Sequence, residues 1–285
     1  MEEDFTPVPP GAPDRLRVGM SQALLRWVVN NAETWTKGKD LGGGDLILIT
    51  IFARSVRTYE AIVRCLGERG FGEQGLMLNR SLFEDMIDAH WVSLNRELAT
   101  KRLEQHDLYS RLLRADTQRK FPSWFDGRKP PAIKVTNEER KALRDLYGKS
   151  GSGSWTGAGS LDQRVASVKS CWSDDGQELL FWTAWVHKMT NEVLHPSAFS
   201  LGRLGTPKVT DQGGFEWHFG STAQWLPQSL HAAVWTLGQI VSLVIDQYHP
   251  SSREQFDEQF RQAMMAFPRA AHWEATGRLE DPPSS

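Results

Sequence analysis

Cysteine is scarce in this sequence, with only Cys65 and Cys171 among 285 residues. Two thiols are too few for a disulfide framework, so a reducing compartment is expected. Apolar runs are short as well, since the run over 46–49 is soon followed by Arg54. None approaches the ~20 residues of a membrane span, and the acidic, proline-rich start lacks the features of a signal peptide. The sequence therefore predicts a cytoplasmic protein with no membrane partner.

An excess of positive charge is also lacking, because 33 Lys and Arg residues oppose 35 Asp and Glu residues, for a formal net charge of −2. That balance argues against a globally basic nucleic-acid binder but leaves room for a local basic patch. The motifs of phosphate loops, dinucleotide sites, nucleophile elbows and zinc proteases do not occur in the sequence. No cofactor is therefore expected.

Tryptophan is abundant, with 12 residues against four tyrosines. A surface on which bases or sugars stack is one interpretation of that excess. Packing of aromatic rings in the core is the other, and four tryptophans on predicted helices favour it because their neighbours are apolar. These four are Trp91, Trp182, Trp185 and Trp235.

Hydrophobic residues recur at helical spacing along most of the chain. The pattern predicts long antiparallel helices over 45–69, 73–118, 177–195 and 222–248. Capping boxes at Thr136, Ser160, Ser221 and Ser251 predict further helix starts. Between Ser160 and Ser221, two runs of β-prone residues flank Asp-Gln-Gly-Gly and predict a hairpin. The expected fold class is all-α, a mainly helical bundle, with a small β-hairpin insertion near residues 207–219. The expected organisation is a disordered arm (1–14), a single helical domain (15–267) and a flexible tail (268–285).

Arg80 is the first candidate functional residue, because its position falls inside the apolar face of a predicted helix. A guanidinium there is costly unless it is paired, and Glu84, one turn later, is the expected partner. Arg80 is therefore predicted to be mostly buried. A structural ion pair that fixes helix register explains this pattern, and a charge held at the floor of a cleft is the functional alternative.

A polar ridge on a later helix is the second candidate, since His187, Asn191 and His195 follow one another at intervals of four residues. Lys188 lies beside His195 on the helical projection. Imidazole and a neighbouring cation suit general acid–base cleavage of RNA, in which the 2′-OH is the nucleophile. A His that caps the helix end before Pro196 is the structural alternative. A metal site completed by Glu84 or Asp88 is disfavoured by the spacing, so no metal is expected.

The order of short motifs resembles a family of bacterial all-helical proteins of unknown function, over roughly residues 45–250. Those motifs are Arg-Ser-Leu-x-Glu, Trp-Thr-Gly and His-Pro-Ser. The matched positions are Arg80, Ser81, Leu82, Glu84, Trp155, Gly157, His195, Pro196 and Ser197.

A more distant similarity is to the HEPN superfamily of helical nucleases and nucleotide-binding domains. It implies metal-independent endoribonuclease action at a dimer interface, often in phage defence or toxin systems. His195 matches the histidine of the nuclease motif and Asn191 its polar residue. The arginine of that motif is absent, and Lys188 is the nearest cation.

The expected site therefore has His195, Asn191 and Lys188 in catalytic roles, with Arg80, Glu84 and His187 binding the substrate. Five of these residues are predicted to converge on one cleft between two helices: Arg80, Glu84, His187, Asn191 and His195. RNA, a second copy of the chain and a partner protein are the expected partners. A non-enzymatic interaction or ligand-sensing module is the alternative function.

Overall fold

Helices formed by apolar periodicity account for nearly all of the regular structure. The computed structural model describes residues 11–69, 72–125, 128–148, 154–173, 176–194, 208–209, 215–216 and 225–279. Within those residues the α-helices are α1 (Ala12–Thr36), α2 (Gly43–Arg69), α3 (Gly72–Leu94), α4 (Arg96–Lys120), α5 (Asn137–Tyr147), α6 (Leu161–Val168), α7 (Gln177–Leu194), α8 (Leu226–Tyr248) and α9 (Arg253–Thr276). Short 3₁₀ turns occupy Pro122–Phe125, Lys169–Cys171 and Pro250–Ser252.

The fold class is all-α, and the hairpin insertion predicted near 207–219 is wrong. Only Lys208–Val209 and Phe215–Glu216 are described in that stretch, and they form one antiparallel contact of two residues on each side. An isolated pair of strands needs a longer ladder or a packed face to be stable, so this contact is not an element of the fold.

The chain divides into two compact units. The first contains Met1–Asp40, Thr50–Met86 and Gln177–Ser285, and the second contains Leu41–Ile49 and Ile87–Gly176. The single helical domain over 15–267 stays a prediction.

The core of the first unit is built around α8, which packs against α1 and α9. Most of the side chains of α8 are buried, among them Trp235. In the described chain, α8 alone is long and apolar enough to cross a membrane, but 72% of its apolar window is buried in the protein. Burial on several sides is what a central core helix requires.

In the second unit, α4 packs against α5 through a small core of Tyr109, Leu112, Leu143 and Tyr147. The capping boxes predicted at Thr136 and Ser160 are both present and open α5 and α6. Each of these two side chains accepts a hydrogen bond from the backbone N–H three residues later, which satisfies a donor at the helix start.

Two predicted helix boundaries are wrong for local reasons. The helix predicted over 73–118 is interrupted at Asn95, whose side-chain amide donates to the carbonyl of Trp91 at 3.0 Å and competes with helix continuation. The last helix was predicted to end near Phe267, yet α9 continues through Pro268 to Thr276. A paired bond from Arg17 to Glu274, at 2.7 and 3.0 Å, holds its end against α1.

The start of α9 also differs from its prediction, because Ser252 and not Ser251 is the N-cap residue. The hydroxyl of Ser251 lies 3.1 Å from Nδ1 of His249 and does not cap the helix. The capping box predicted at Ser221 falls outside the described residues.

Candidate functional site

Arg80 is paired as predicted, but it is not buried. Its Nε donates to Oε1 of Glu84 at 3.3 Å, while the two side chains are 35% and 34% exposed. The centre of the buried face of α3 belongs to the neighbouring Asn79, which is 1% exposed. Arg80 lies at the edge of that face, where its guanidinium can reach water. The pair is therefore accessible to a ligand and contributes little to stability.

The polar ridge lies on a continuous helix that ends at Leu194, one residue before His195. His187 is half-buried and Lys188 is exposed. The buried face of α7 consists of Leu179, Trp182, Thr183, Val186 and Thr190. On the helical projection Lys188 lies opposite this face, and His187 lies at its edge. The side chain of Asn191 and all of His195 lie outside the described residues.

In the first unit, α3 and α7 both contact α8. The amide of Asn79 donates to the carbonyl and hydroxyl oxygens of Ser229, at 2.8 and 2.7 Å. On α7, Trp182 stacks on Trp235 with ring centroids 5.1 Å apart. Ser229 and Trp235 lie about 120° apart around α8, at 100° per residue. Of the five residues expected in the cleft, the structure brings Arg80 together with Glu84. The five-residue cleft stays a prediction.

A buried charge network in the second unit was not predicted. Asp88 of α3 accepts a hydrogen bond from the indole N–H of Trp155 at 2.7 Å and another from Arg164 of α6 at 3.1 Å. The Asp88 and Arg164 side chains are 7% and 8% exposed. Trp155 also packs edge-on against Trp91, with ring centroids 5.7 Å apart. The network therefore fastens the Trp-Thr-Gly segment to α3. The signal in the sequence was Asp88, which stands between the apolar Ile87 and Ala89 and one turn before Trp91.

His90, on the same helix, is a buried histidine without a hydrogen-bond partner in the described part of the chain. It is 6% exposed, and neither ring nitrogen is bonded. Its ring lies 4.4 Å from that of Trp172, whose indole N–H is also unbonded. Burial lowers the pKa of His90 to about 4, so the ring is neutral at physiological pH.

We expect His90 to weaken the fold in mild acid. The unfolded chain binds a proton at His90 below pH ~6.5, whereas the folded chain does so only near pH 4. The free energy of unfolding should therefore fall as pH decreases between these values, by up to about 3 kcal/mol in total. Urea denaturation from pH 4 to 7.5 measures this loss, and His90→Leu should reduce it. If the difference in the free energy of unfolding between the wild-type and His90→Leu proteins does not change with pH, this expectation is refuted.

An open groove lies between α4 and α5 of the second unit and encloses about 590 Å³. Its floor is formed by Leu108, Ala142, Leu143 and Leu146, and its polar lining by Arg102, Gln105, Glu139 and Asp145. The guanidinium of Arg102 bonds Gln105 at 3.5 Å and has no carboxylate partner among the described residues. Gly157, with a φ of +73°, lies beside Leu146 and leaves no room for a side chain. This arrangement suits a small ligand with an apolar body and a few polar groups.

The tryptophans divide between core and surface. Trp91, Trp182 and Trp235 are buried, which confirms the core interpretation for these three, and Trp185 is half-buried. Trp124 is 77% exposed.

In the described part of the chain, no group of three His, Cys, Asp or Glu residues could hold a metal ion.

Comparison with known proteins gives one result. Residues 45–212 match the model of a family described as a family of unknown function (DUF5677). No curated protein and no solved structure matches the chain.

Proposed function

We propose that this chain, which belongs to the family of unknown function (DUF5677), cleaves RNA without a metal ion, in the manner of the HEPN nucleases that it distantly resembles. The observation that carries the proposal is the position of the ridge on α7. It presents a half-buried imidazole at His187, at the edge of the buried face, and an exposed ammonium at Lys188, opposite that face. The sequence continues this ridge through Asn191 to His195.

Three histidines elsewhere in the chain are less suited to proton transfer near neutrality. Burial lowers the pKa of His90, His106 and His231, so these rings lose their protons more readily than a free imidazole. A general acid or base near neutrality needs an imidazole that gains and loses a proton in that range. These three rings are therefore weaker candidates for a general acid or base.

The proposed reaction needs no group from outside the RNA and the protein. The 2′-OH attacks the adjacent phosphorus and loses its proton to a base, while the P–O bond to the 5′-oxygen breaks and that oxygen takes up a proton. The products are a 2′,3′-cyclic phosphate and a 5′-hydroxyl. His195 serves as general acid or base, Lys188 stabilises the charge of the phosphorane, and Asn191 positions the substrate. Arg80, Glu84 and His187 bind the RNA.

The test is the incubation of purified protein with RNA in EDTA. We expect fragments that end in 2′,3′-cyclic phosphate, which the 3′-end chemistry of the products identifies. Intact RNA after prolonged incubation would refute the nuclease. The same proposal includes a cytoplasmic homodimer with a role in phage defence or toxin systems, and the dimer is tested by light scattering.

A second function is favoured by the α4–α5 groove, whose guanidinium has no carboxylate partner in the described chain. A ligand-sensing module needs a preformed pocket with a few polar groups that orient the ligand. If RNA stays intact, we propose that the chain senses a small ligand or binds a partner protein.

A further inference from the structure

We propose that the turn following α4 is a binding platform for single-stranded RNA. The inference rests on the proposed function, because it names the surface that holds the substrate, but its geometry is independent of α7. The platform consists of residues 120–125 together with Arg128 and Lys129.

Two stacked aromatic rings form the surface of the platform. Phe121 and Trp124 have ring centroids 5.1 Å apart and planes inclined by 21°. Trp124 is 77% exposed and Phe121 is 36% exposed, so the stack meets water. The ammonium of Lys120 lies 5.2 Å from the centroid of the Phe121 ring. An exposed aromatic stack is a ready surface for an unpaired base, since every base has a π-face.

Backbone hydrogen bonds hold this turn in shape. The N–H of Phe121 donates to the carbonyl of Thr117 at 2.9 Å, and that of Trp124 donates to the carbonyl of Phe121 at 3.1 Å. The N–H of Arg128 donates to the carbonyl of Phe125 at 2.9 Å. The side chain of Gln118 donates to the carbonyl of Arg128 at 2.5 Å, which ties the turn back to α4. The platform is therefore largely preformed.

The charge of the segment complements a phosphate backbone. The sequence over 119–134 contains five cations and one acid in a chain whose net charge is −2. Arg119 is neutralised by Asp116 at 2.8 Å. The side chains of Lys120, Arg128 and Lys129 are exposed, and none is paired with a carboxylate of the described residues. Cations beside exposed rings are the combination that binds single strands without sequence preference.

A single strand fits this surface better than the other partners that basic aromatic segments bind. A duplex keeps its bases stacked internally and offers no free π-face. A membrane surface is usually bound by an amphipathic helix with a broad apolar face, whereas this platform is one 3₁₀ turn with two stacked rings.

The test is fluorescence polarisation with a labelled oligouridine RNA in EDTA, using full-length His195→Ala protein so that the RNA stays intact. We expect Trp124→Ala to weaken binding by about 5- to 150-fold, and Trp124→Phe to retain most of it. Replacement of Lys120, Arg128 and Lys129 by Gln should reduce the slope of log K against log salt by about 2. Lys39→Gln, an exposed charge on the first unit, is the matched control.

Equal affinity of the wild-type and Trp124→Ala proteins overturns the platform, even if the wild-type protein cleaves RNA. Equal binding of duplex and single strand overturns it as well, as does Trp124-dependent binding to phosphatidylserine vesicles without binding to RNA. Binding that depends on Trp124, together with wild-type protein that leaves RNA intact, supports the platform and removes the nuclease.

Discussion

We expect the His195→Ala variant to cleave RNA about 10²–10⁴-fold more slowly than the wild-type protein, which is the usual loss when a general acid or base is removed. Alanine cannot transfer the proton of the attacking 2′-OH or of the leaving 5′-oxygen. The α7 helix ends at Leu194 and His195 follows it directly, so the substitution should leave the helix intact.

Initial rates on a labelled RNA in EDTA, measured from pH 5 to 9, check this expectation. The wild-type rate should depend on pH near neutrality, and the residual rate of the variant should lose the part of that dependence that belongs to His195. His272→Ala, at a half-buried position on α9, is the matched control and should cleave at the wild-type rate. Equal rates for wild-type and His195→Ala proteins would exclude His195 as the acid or base.

The second large effect concerns stability: Asp88→Ala should lower the free energy of unfolding by about 3–5 kcal/mol. The substitution removes the carboxylate that accepts a hydrogen bond from the 8%-exposed guanidinium of Arg164. It also removes the acceptor of the Trp155 indole N–H. A buried donor that loses its acceptor costs its full desolvation energy.

Asp85→Ala is the matched control, because Asp85 is also buried but its partner differs. Arg54, which bonds Asp85, is 59% exposed, so its guanidinium can be hydrated once the carboxylate is gone. We expect a smaller loss of about 1–2 kcal/mol. Urea denaturation at pH 7 measures both variants. Equal losses of unfolding free energy in the two variants would show that burial of the arginine partner does not determine the size of the loss.

Local sequence patterns predicted much of the helical structure. The spacing of apolar residues predicted α2 and α7 to within a few residues, and the capping boxes predicted the starts of α5 and α6. These signals are readable because a helix satisfies its backbone within one segment, and its caps lie within four residues.

Two predictions from local sequence were wrong: the end of the last helix and the burial of Arg80. The helical domain was expected to end at residue 267, but Phe267 and Ala270 are buried and the helix continues through Pro268. Arg80 was predicted to be buried because the helical projection placed it inside the apolar face, but in the structure it lies at the edge of the buried face of α3. A projection gives the direction of a side chain but not the width of the surface that covers it.

The sequence by itself determined that this chain is all-helical, and which residues occupy the polar ridge of α7. Only the tertiary structure decided that Asp88 meets Trp155 and Arg164, 67 and 76 positions away. It alone decided that Trp124 lies in water. The physical reason is that periodicity is a property of neighbours along the chain. The partner of a buried charge depends on segments that the chain brings together only when it folds. The same is true of the residues that bury an aromatic ring.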